Sequence, residues 1–284
     1  MLLRIAIQGE LGSNSHMATM SMLGNEVADL SILPCNISAE VMARVISGDA
    51  DAAVLPIENS LHGSVAEHYD LLLELDVRIE SEGLLRIRHN LIAAPGVAAK
   101  DVRKVISHPV ALSQCRKFLQ SHPEFEAMPF YDTAGSVKYL MEQNLRDVAG
   151  IAPQLAAAQY GAEVILASVE DNAQNFTRFH LIRRSEDPWL IEPTEPENKM
   201  SLAFAIDHRP GTLVAALERL AGAGVDLTKI ESRPVPGNPW EYVFYVDVRF
   251  DTPDKAEAAI SALREHCRMV KVLGRYRAAS TTAE

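Results

Sequence analysis

The sequence predicts an α/β protein built from two parts. Short β-rich runs alternate with helical patterns as far as Arg184, which is typical of βαβ units and parallel sheets. An acidic segment with three prolines, residues 185–198, then breaks this pattern and predicts a linker. Beyond it the strands and helices follow the order βαββαβ, which predicts a ferredoxin-like unit.

In the first part, residues 1–184, four strand patterns are each followed by a helical pattern. The strand and helix pairs are LRIAIQ with SHMATMSML, AAVLPI with VAEHYDLLLEL, KVIS with ALSQCRKFL, and VAGIA with QLAAAQY. Two longer strands in Val77–Ala94 interrupt the alternation. We expect them to cross between two α/β sub-domains, with a ligand cleft between these.

The second part, residues 199–277, has two amphipathic helices. Leu213, Leu217 and Leu220 recur at helical spacing in the first helix, and the second helix shows the same spacing. In the strand Tyr242–Phe250 the apolar residues alternate with polar ones, so one face is predicted to pack against the helices. Residues 278–284 predict a disordered tail.

Charge and cysteine content exclude several classes of function. The net charge of −11 argues against binding to nucleic acids or anionic membranes, which require a basic surface. The chain has no apolar run long enough for a membrane span and no signal-peptide pattern, so a cytoplasmic location is expected. Cys35, Cys115 and Cys267 are widely spaced, which indicates buried thiols rather than disulfides or a zinc site.

Four strand patterns of the first part end in small polar residues. The four stretches are GSNSH (12–16), PIENSLHGSV (56–65), SHPVALSQC (107–115) and YDTAGS (131–136). In α/β folds ligands bind beyond the carboxyl ends of strands, so these stretches are placed to line one cleft. Helix capping by Ser15, Ser107 and Thr133 is the alternative interpretation.

Neutral polar side chains dominate the predicted cleft. Asn59, Ser107, Gln114 and Thr177 offer donors and acceptors without a strong base, a set suited to orienting an anion and stabilising a leaving oxygen. Glu58 directly follows an apolar strand, where burial could alter its protonation. The sequence has no phosphate-binding loop and no GxGxxG, HExxH or GxSxG motif. We therefore expect no nucleotide cofactor, no metal ion and no covalent catalysis.

The stretch NFTRF, residues 175–179, places a hydroxyl beside a cation. On a regular strand Thr177 and Arg178 point to opposite faces. Arg178 can therefore bind the same ligand as Thr177 only if a bulge or strand end intervenes.

Two stretches of the second part could bind an effector. HRPGTL (208–213) joins a strand to a helix through Gly211, and ESRP (231–234) ends the next strand. Both could equally be ordinary turns.

Together these motifs resemble the prephenate dehydratase family with a C-terminal ACT regulatory domain. GSNS, PIENSxxGSV, SHPxALxQC, DTA and NFTRF follow the family's order, and PGTL with ESRP resembles its phenylalanine-binding motifs. The resemblance covers nearly the whole chain. Asn14 stands where an aromatic residue is common, and Thr212 stands where the effector motif often has a small apolar residue.

The resemblance implies a catalytic region with two lobes like those of periplasmic binding proteins. It implies that prephenate loses CO2 and hydroxide to give phenylpyruvate, with Thr177, Glu58 and Asn59 as catalytic residues. Ser107, Gln114, Thr133, Arg178 and Ser15 are the implied substrate-binding residues. It further implies a homodimer or homotetramer paired through ACT domains. L-phenylalanine is the implied effector, bound by Gly211, Thr212, Leu213, Glu231, Ser232 and Arg233.

Two alternatives to a prephenate dehydratase are consistent with the sequence. Arogenate differs from prephenate by an amino group in place of the keto oxygen and could be the substrate. A sensor that binds a small molecule without turning it over would also have a polar cleft, although the set Asn59, Gln114 and Thr177 favours an enzyme.

Overall fold

Strands and helices alternate along the first part of the chain. The protein is described from a computed structural model that covers residues 2–24, 27, 29–235 and 238–279. The strands are β1 Leu3–Gln8, β2 Leu30–Cys35, β3 Ala52–Asn59, β4 Gly63–Ser64, β5 Val77–Arg86, β6 Asn90–Ala93, β7 Lys104–Ser107, β8 Glu126–Pro129, β9 Val148–Ala152, β10 Glu163–Leu166, β11 Phe176–Arg184, β12 Lys199–Ala205, β13 Asp226–Val235, β14 Asn238–Arg249 and β15 Met269–Tyr276. The helices are α1 Asn14–Leu23, α2 Ser38–Ser47, α3 Ala66–Glu74, α4 Pro109–Gln114, α5 Arg116–Ser121, α6 Thr133–Glu142, α7 Gln154–Tyr160, α8 Thr212–Gly222 and α9 Pro253–Arg264.

The first sheet has the strand order β2-β1-β3-β11-β5, and the short β4 pairs with β3. Strand β1 is parallel to both of its neighbours. Ile5, Ile7 and Val54 are completely buried in these strands. Since parallel strands end at the same edge of a sheet, the polar segments after β1 and β3 leave the sheet on one side.

The second sheet has the order β10-β6-β9-β7-β8 and mixes parallel and antiparallel pairs. Its core includes Leu91, Val105, Leu140 and Ile151, all of them completely buried. The two strands predicted within Val77–Ala94 are β5 and β6, and they belong to different sheets. The segment Val77–Ala94 therefore crosses from the first sheet to the second.

Two local predictions were incomplete. The pattern ALSQCRKFL forms two short helices rather than one, because Cys115 leaves the helical region with φ −116° and ψ 26°. Strand β2 and helix α2 were not predicted. Helix α2 nevertheless buries Val41, Met42 and Val45, which recur at helical spacing.

The C-terminal part forms an antiparallel sheet of order β13-β14-β12-β15. Together with α8 and α9 this gives the predicted βαββαβ order. Val246, Val248 and Phe250 pack with Ala216 of α8 and Ile260 of α9 in one core. The helix-facing side of β14 was thus predicted correctly from its alternation.

The other side of this sheet is also covered, by helix α3. The rings of Tyr69 and Tyr245 lie 5.1 Å apart, and Arg233 Nη2 binds Asp70 Oδ2 at 2.6 Å. Lys271 Nζ donates to the carbonyl oxygens of Leu72, Leu73 and Leu75 at 3.0, 2.9 and 2.6 Å. These carbonyls end α3 and lack partners within the helix, so Lys271 satisfies them.

The compact units of the structure do not follow the order of the sequence. One unit combines the described residues up to Ser64 with Gly83–Phe179. The other combines Val65–Glu82 with the described residues from His180 onward. Helix α3, which the sequence places in the first part, therefore belongs to the same unit as the C-terminal sheet.

The predicted linker is irregular but anchored. Glu80 Oε1 accepts hydrogen bonds from the backbone N–H groups of Leu190 and Ile191 at 2.8 and 3.1 Å. The Arg78 guanidinium lies 4.9 Å from the centre of the Trp189 ring. These contacts hold residues 185–198 against β5.

Two observations concern the chain end and the membrane. Of the predicted tail, Ala278 and Ala279 donate backbone hydrogen bonds to Asn198 and Glu82, and residues 280–284 lie outside the described residues. Within the described part of the chain, none of the helices has the length and apolar character needed to cross a membrane.

Candidate active site

Thr177 in β11 has its hydroxyl oriented by a neighbouring strand. Asn59 at the end of β3 donates from Nδ2 to Thr177 Oγ1 at 2.9 Å. Thr177 is 8% exposed. Within the ranges that the structure describes, the Thr177 hydroxyl has no protein acceptor. Its hydrogen is therefore available to a ligand.

Backbone groups determine which way the Asn59 amide points. Asn59 Oδ1 accepts from the backbone N–H groups of Leu61 and His62 at 3.0 and 3.1 Å. Its Nδ2 also donates to the carbonyl oxygen of Phe176 at 3.2 Å. Since a backbone N–H can only donate and a carbonyl can only accept, the side chain cannot be rotated by a half turn.

This orientation extends through two further amides to two histidines. Asn59 Nδ2 donates to Asn175 Oδ1 at 2.8 Å, and Asn175 Nδ2 donates to Gln114 Oε1 at 2.9 Å. Gln114 Oε1 also lies 2.7 Å from His89 Nε2, and Gln114 Nε2 lies 3.0 Å from His62 Nδ1. We refer to the set Thr177, Asn59, Asn175, Gln114, His89 and His62 as the Thr177 network.

The interior of this network is shielded from solvent. Asn175 is completely buried, and Gln114 and His89 are 7% and 2% exposed. Burial lowers the pKa of His89, and smaller opposing effects come from Gln114 and Glu170. His89 is therefore neutral at physiological pH and donates from Nε2 to Gln114. The members of the Thr177 network come from β3 and the turn after it, from the end of α4, from the residue before β6, and from β11 and the residue before it.

Glu58 and Arg178 lie on the opposite faces of β3 and β11 from Asn59 and Thr177. Arg178 Nε and Glu58 Oε1 form an ion pair at 2.9 Å, and the Arg178 side chain is 6% exposed. Both residues lie in the continuous strand β11, in which neighbouring side chains point to opposite faces, and the Glu58 pair agrees with this separation. This geometry does not support a proton relay from Glu58 to Thr177.

Ser107 is in a different environment from the other predicted cleft residues. Its hydroxyl is completely buried and donates to the carbonyl oxygen of Ile151 at 2.6 Å. It therefore stabilises the pairing of strands in the second sheet and is outside the Thr177 network.

The capping interpretation selected the wrong residues. The residues at the N-caps of α1, α4 and α6 are Ser13, His108 and Asp132. Ser15 and Thr133 instead lie in the first turns of α1 and α6, and Ser15 is 6% exposed. At each boundary a polar residue one or two positions earlier or later takes the cap, and Ser13 and Asp132 have the extended backbone typical of an N-cap.

Helix α6 already has an anion at its N-terminus. The Asp132 carboxylate accepts from the backbone N–H of Gly135 at 2.7 Å, and burial raises the pKa of this carboxyl group. Helix α1 differs, since its cap is the neutral Ser13. Of these two helix ends, α1 is the better position for a ligand carboxylate.

A model of the prephenate dehydratase family matches residues 5–187 of the chain. The chain belongs to the prephenate dehydratase family. It is accordingly a lyase, as the sequence motifs predicted. The matched residues contain the complete Thr177 network.

Similar proteins from a plant and a bacterium are named as arogenate or prephenate dehydratases. Arogenate dehydratase/prephenate dehydratase 2 of Arabidopsis thaliana is 37% identical over 96% of this chain and 72% of its own. The bifunctional chorismate mutase/prephenate dehydratase of Aquifex aeolicus is 32% identical over 96% of this chain and 73% of its own. Both alignments extend well beyond residue 187, into the C-terminal part.

Two solved structures share nearly the whole fold. Prephenate dehydratase from Arthrobacter aurescens, in complex with L-Phe, is 31% identical with a TM-score of 0.85, over 97% of this chain and 90% of that one. A protein described as a novel type of quorum-quenching acylase is 32% identical with a TM-score of 0.85, over 97% and 98%. The similarity to the first structure supports the two-lobed catalytic fold of the family.

The two predicted effector stretches lie at the start of α8 and in β13. Gly211, with φ +86°, precedes α8, and the Thr212 hydroxyl donates to the carbonyl oxygens of Asp207 and Arg209, both at 2.8 Å. Leu213 packs against the core of the C-terminal part. Glu231, Ser232 and Arg233 lie in β13, where Arg233 binds Asp70.

Three members of the Thr177 network were not predicted from the sequence. Asn175 was noted only as part of NFTRF, and His62 and His89 had no predicted role in the site. Alternation along NFTRF could have found Asn175, because it puts Asn175, which directly precedes β11, on the same side as Thr177. The contacts of His62 and His89 join distant parts of the chain, which local patterns do not reveal.

Proposed function

We propose that this chain is a prephenate dehydratase that forms phenylpyruvate in phenylalanine synthesis and is regulated by phenylalanine. The observation that carries the proposal is the orientation of Thr177. Its hydroxyl accepts from Asn59, which leaves its hydrogen to donate to a departing oxygen. Four amide and imidazole side chains behind Asn59 and Thr177 hold this arrangement, so little reorganisation is needed during the reaction.

The formation of an aromatic ring drives this reaction, so the protein has mainly to assist the departure of the hydroxyl group. In prephenate the bond from the ring to the carboxylate carbon breaks and releases CO2. The electron pair of that bond enters the ring, which becomes aromatic as the bond to the ring hydroxyl breaks. Thr177 donates a hydrogen bond to the departing hydroxide and stabilises its charge, and a proton from solvent completes the water molecule. No cofactor or metal is required.

The substrate-binding role predicted for Arg178 changes in this proposal. Its guanidinium pairs with Glu58 on the far side of β11 and acts by holding the two strands together. The backbone N–H groups of the first turn of α1, including that of Ser15, are proposed to bind a substrate carboxylate. Thr133 is less suited to this role because Asp132 occupies the end of α6. Gln114 acts through the network.

The C-terminal part is proposed to be an ACT domain that binds L-phenylalanine. The βαββαβ order supports this, and so does the related enzyme solved with L-Phe. Gly211, Thr212, Leu213, Glu231, Ser232 and Arg233 are the proposed binding residues. Pairing of such domains would give a homodimer or homotetramer. The effect of phenylalanine on substrate affinity must equal that of substrate on phenylalanine affinity.

Arogenate is the second candidate substrate. The relative from Arabidopsis thaliana carries the names of both dehydratases, which favours a test of both substrates. The same hydroxyl leaves in either reaction, so the role of Thr177 does not distinguish them.

The first experiment is to incubate the purified full chain with prephenate and to measure phenylpyruvate, without added metal or nucleotide. We expect turnover, and a change in rate when L-phenylalanine is added. Turnover that does not respond to phenylalanine would contradict the effector proposal alone. Turnover of arogenate only would change the substrate, and no turnover of either would contradict the enzymatic proposal.

Replacing Asn59 with aspartate tests the direction of the hydrogen bonds. In Asn59→Asp an acceptor replaces the Nδ2 donor, so the Thr177 hydroxyl turns its hydrogen toward the new carboxylate. We expect kcat to fall roughly 10- to 100-fold, the loss of about one to two hydrogen bonds in free energy. Steady-state kinetics with prephenate measures this.

Asn90→Asp is the matched control for this substitution. Asn90 is buried. Its side-chain amide donates a hydrogen bond to the carbonyl oxygen of Ala152 and accepts one from the backbone N–H of Ser168, and both bonds lie outside the Thr177 network. We expect Asn90→Asp to lower thermal stability with kcat of the folded protein unchanged. Equal losses of kcat in both variants would show that any buried asparagine gives the effect.

A further inference from the structure

His62 forms the solvent-facing end of the Thr177 network, and the roles of its ring nitrogens are determined. Gln114 Nε2 lies 3.0 Å from His62 Nδ1, and Ser113 Oγ lies 3.1 Å from His62 Nε2. Because Gln114 Nε2 can only donate, His62 Nδ1 must accept and carries no hydrogen. Ser113 Oγ donates to the carbonyl of Val110 at 2.7 Å, so it accepts from His62 Nε2. The neutral tautomer with hydrogen on Nε2 satisfies both contacts.

Protonated His62 does not fit this arrangement. A hydrogen on Nδ1 would point at the amide hydrogens of Gln114. A half turn of the Gln114 amide would present its oxygen to His62, but would turn its nitrogen toward Asn175 Nδ2, which can only donate, and toward His89 Nε2. Rotating the Gln114 amide would therefore move the unfavourable contact between two donors closer to Asn59 and would not remove it.

Among the described residues, the side chains that hydrogen-bond to the His62 ring carry no charge that would compensate a proton. The side chains in contact with it, Asn59, Ser113 and Gln114, are uncharged. Glu170 binds the backbone N–H of His89, and the Asp171 carboxylate binds the backbone N–H of Lys117. Glu58 is paired with Arg178 on the far face of the sheet. His62 is itself exposed, so solvent protons reach it directly.

We infer that His62 is a positioning residue whose neutral form holds Gln114, Asn175 and Asn59 in the orientation that directs the Thr177 hydroxyl, so that acid slows turnover. The inference rests on the proposed function and adds to it a dependence on proton concentration. It predicts that mild acid lowers kcat without unfolding the protein.

The first test requires no substrate. Protein labelled with ¹⁵N in its histidine rings is examined by NMR at neutral pH, with His62→Gln and His89→Gln used to assign the signals. We expect both His62 and His89 as neutral rings with hydrogen on Nε2. A hydrogen on Nδ1 of neutral His62 would overturn the inference, whatever reaction the enzyme catalyses.

The second test compares kcat at about pH 5.5 and about pH 7.5, the range in which histidines ordinarily titrate. After subtraction of the uncatalysed rate, we expect kcat of the unsubstituted enzyme to be roughly tenfold lower in acid, about one hydrogen bond in free energy. In His62→Gln the side chain can still accept from Gln114 and donate to Ser113, but it does not titrate. In His62→Gln the value of kcat at about pH 5.5 should therefore be within about twofold of its value at about pH 7.5, whatever the absolute value of kcat in this variant.

His122→Gln is the control, since this histidine bonds to Ser121 and Phe118 outside the network. It should keep the tenfold ratio, and circular dichroism should show folded protein at both pH values. An unchanged ratio in His62→Gln would contradict the inference. If the unsubstituted enzyme has no activity at neutral pH, the proposed function has failed and the NMR test decides about His62.

Discussion

Thr177→Ala lowers kcat with prephenate by about 10²- to 10³-fold, the usual effect of removing one donor to a developing oxyanion. The hydroxyl is the only hydrogen-bonding group lost with the Thr177 side chain, and its hydrogen has no acceptor among the described residues of the protein. Alanine leaves a space of one hydroxyl and one methyl group in β11. We therefore expect the fold to persist and KM to change far less than kcat.

Thr177→Ser separates the hydroxyl from the methyl group. Serine keeps the oxygen that accepts from Asn59, so we expect kcat within about tenfold of the original enzyme, reduced only by the freer rotation of serine. Steady-state kinetics of both variants, with thermal unfolding as a check on folding, measures the difference. Full activity in Thr177→Ala would contradict the assigned role of the hydroxyl, and equal losses in both variants would assign the effect to packing.

Glu80→Ala destabilises the C-terminal unit by about 2–3 kcal/mol, because the buried Arg183 loses its nearer carboxylate partner and keeps only Asp187, at 3.6 Å. Glu80 Oε2 and Arg183 Nη1 form an ion pair at 3.2 Å, and the two side chains are 3% and 7% exposed. The same carboxylate accepts the backbone N–H groups of Leu190 and Ile191. Alanine therefore leaves the Arg183 cation buried and removes the acceptor that anchors the linker.

Urea unfolding measures this effect, and two variants show its origin. Glu80→Gln keeps an acceptor for the linker but loses the charge, so we expect a smaller loss of stability than in Glu80→Ala. Glu40→Ala removes an ion pair with Arg44 on the exposed surface of α2, and we expect the unfolding midpoint to stay nearly the same. A midpoint in Glu80→Ala as high as in Glu40→Ala would contradict the role of the buried pair.

Periodicity predicted most of the secondary structure because each element buries one face. The pattern LRIAIQ predicted strand β1 with its observed bounds, Leu3–Gln8, and the βαββαβ order of the last part follows from similar patterns. Strand β2 was missed because its sequence, LSILPC, is short and contains Pro34. Strand boundaries were less accurate at β3, which continues through the polar residues Glu58 and Asn59.

The candidate site was predicted only where its residues follow from strand geometry. The alternation of β11 correctly separates Thr177 from Arg178, and the ion pair with Glu58 gives the physical reason. Asn59 and Gln114 were selected from their residue types, and both belong to the network. Ser107 has the same chemistry, but its environment at the end of β7 commits its hydroxyl to Ile151. Composition cannot distinguish these cases, because tertiary contacts determine them.

Lys271 has a consequence for recombination between homologous enzymes. Its ammonium group holds the last turn of α3, and α3 is encoded more than a hundred residues before the segment that carries Lys271. A chimera that exchanges only residues 199–277 would therefore join a foreign sheet to a helix selected for another partner. Successful shuffling of the C-terminal module requires that residues 65–82 be inherited with it.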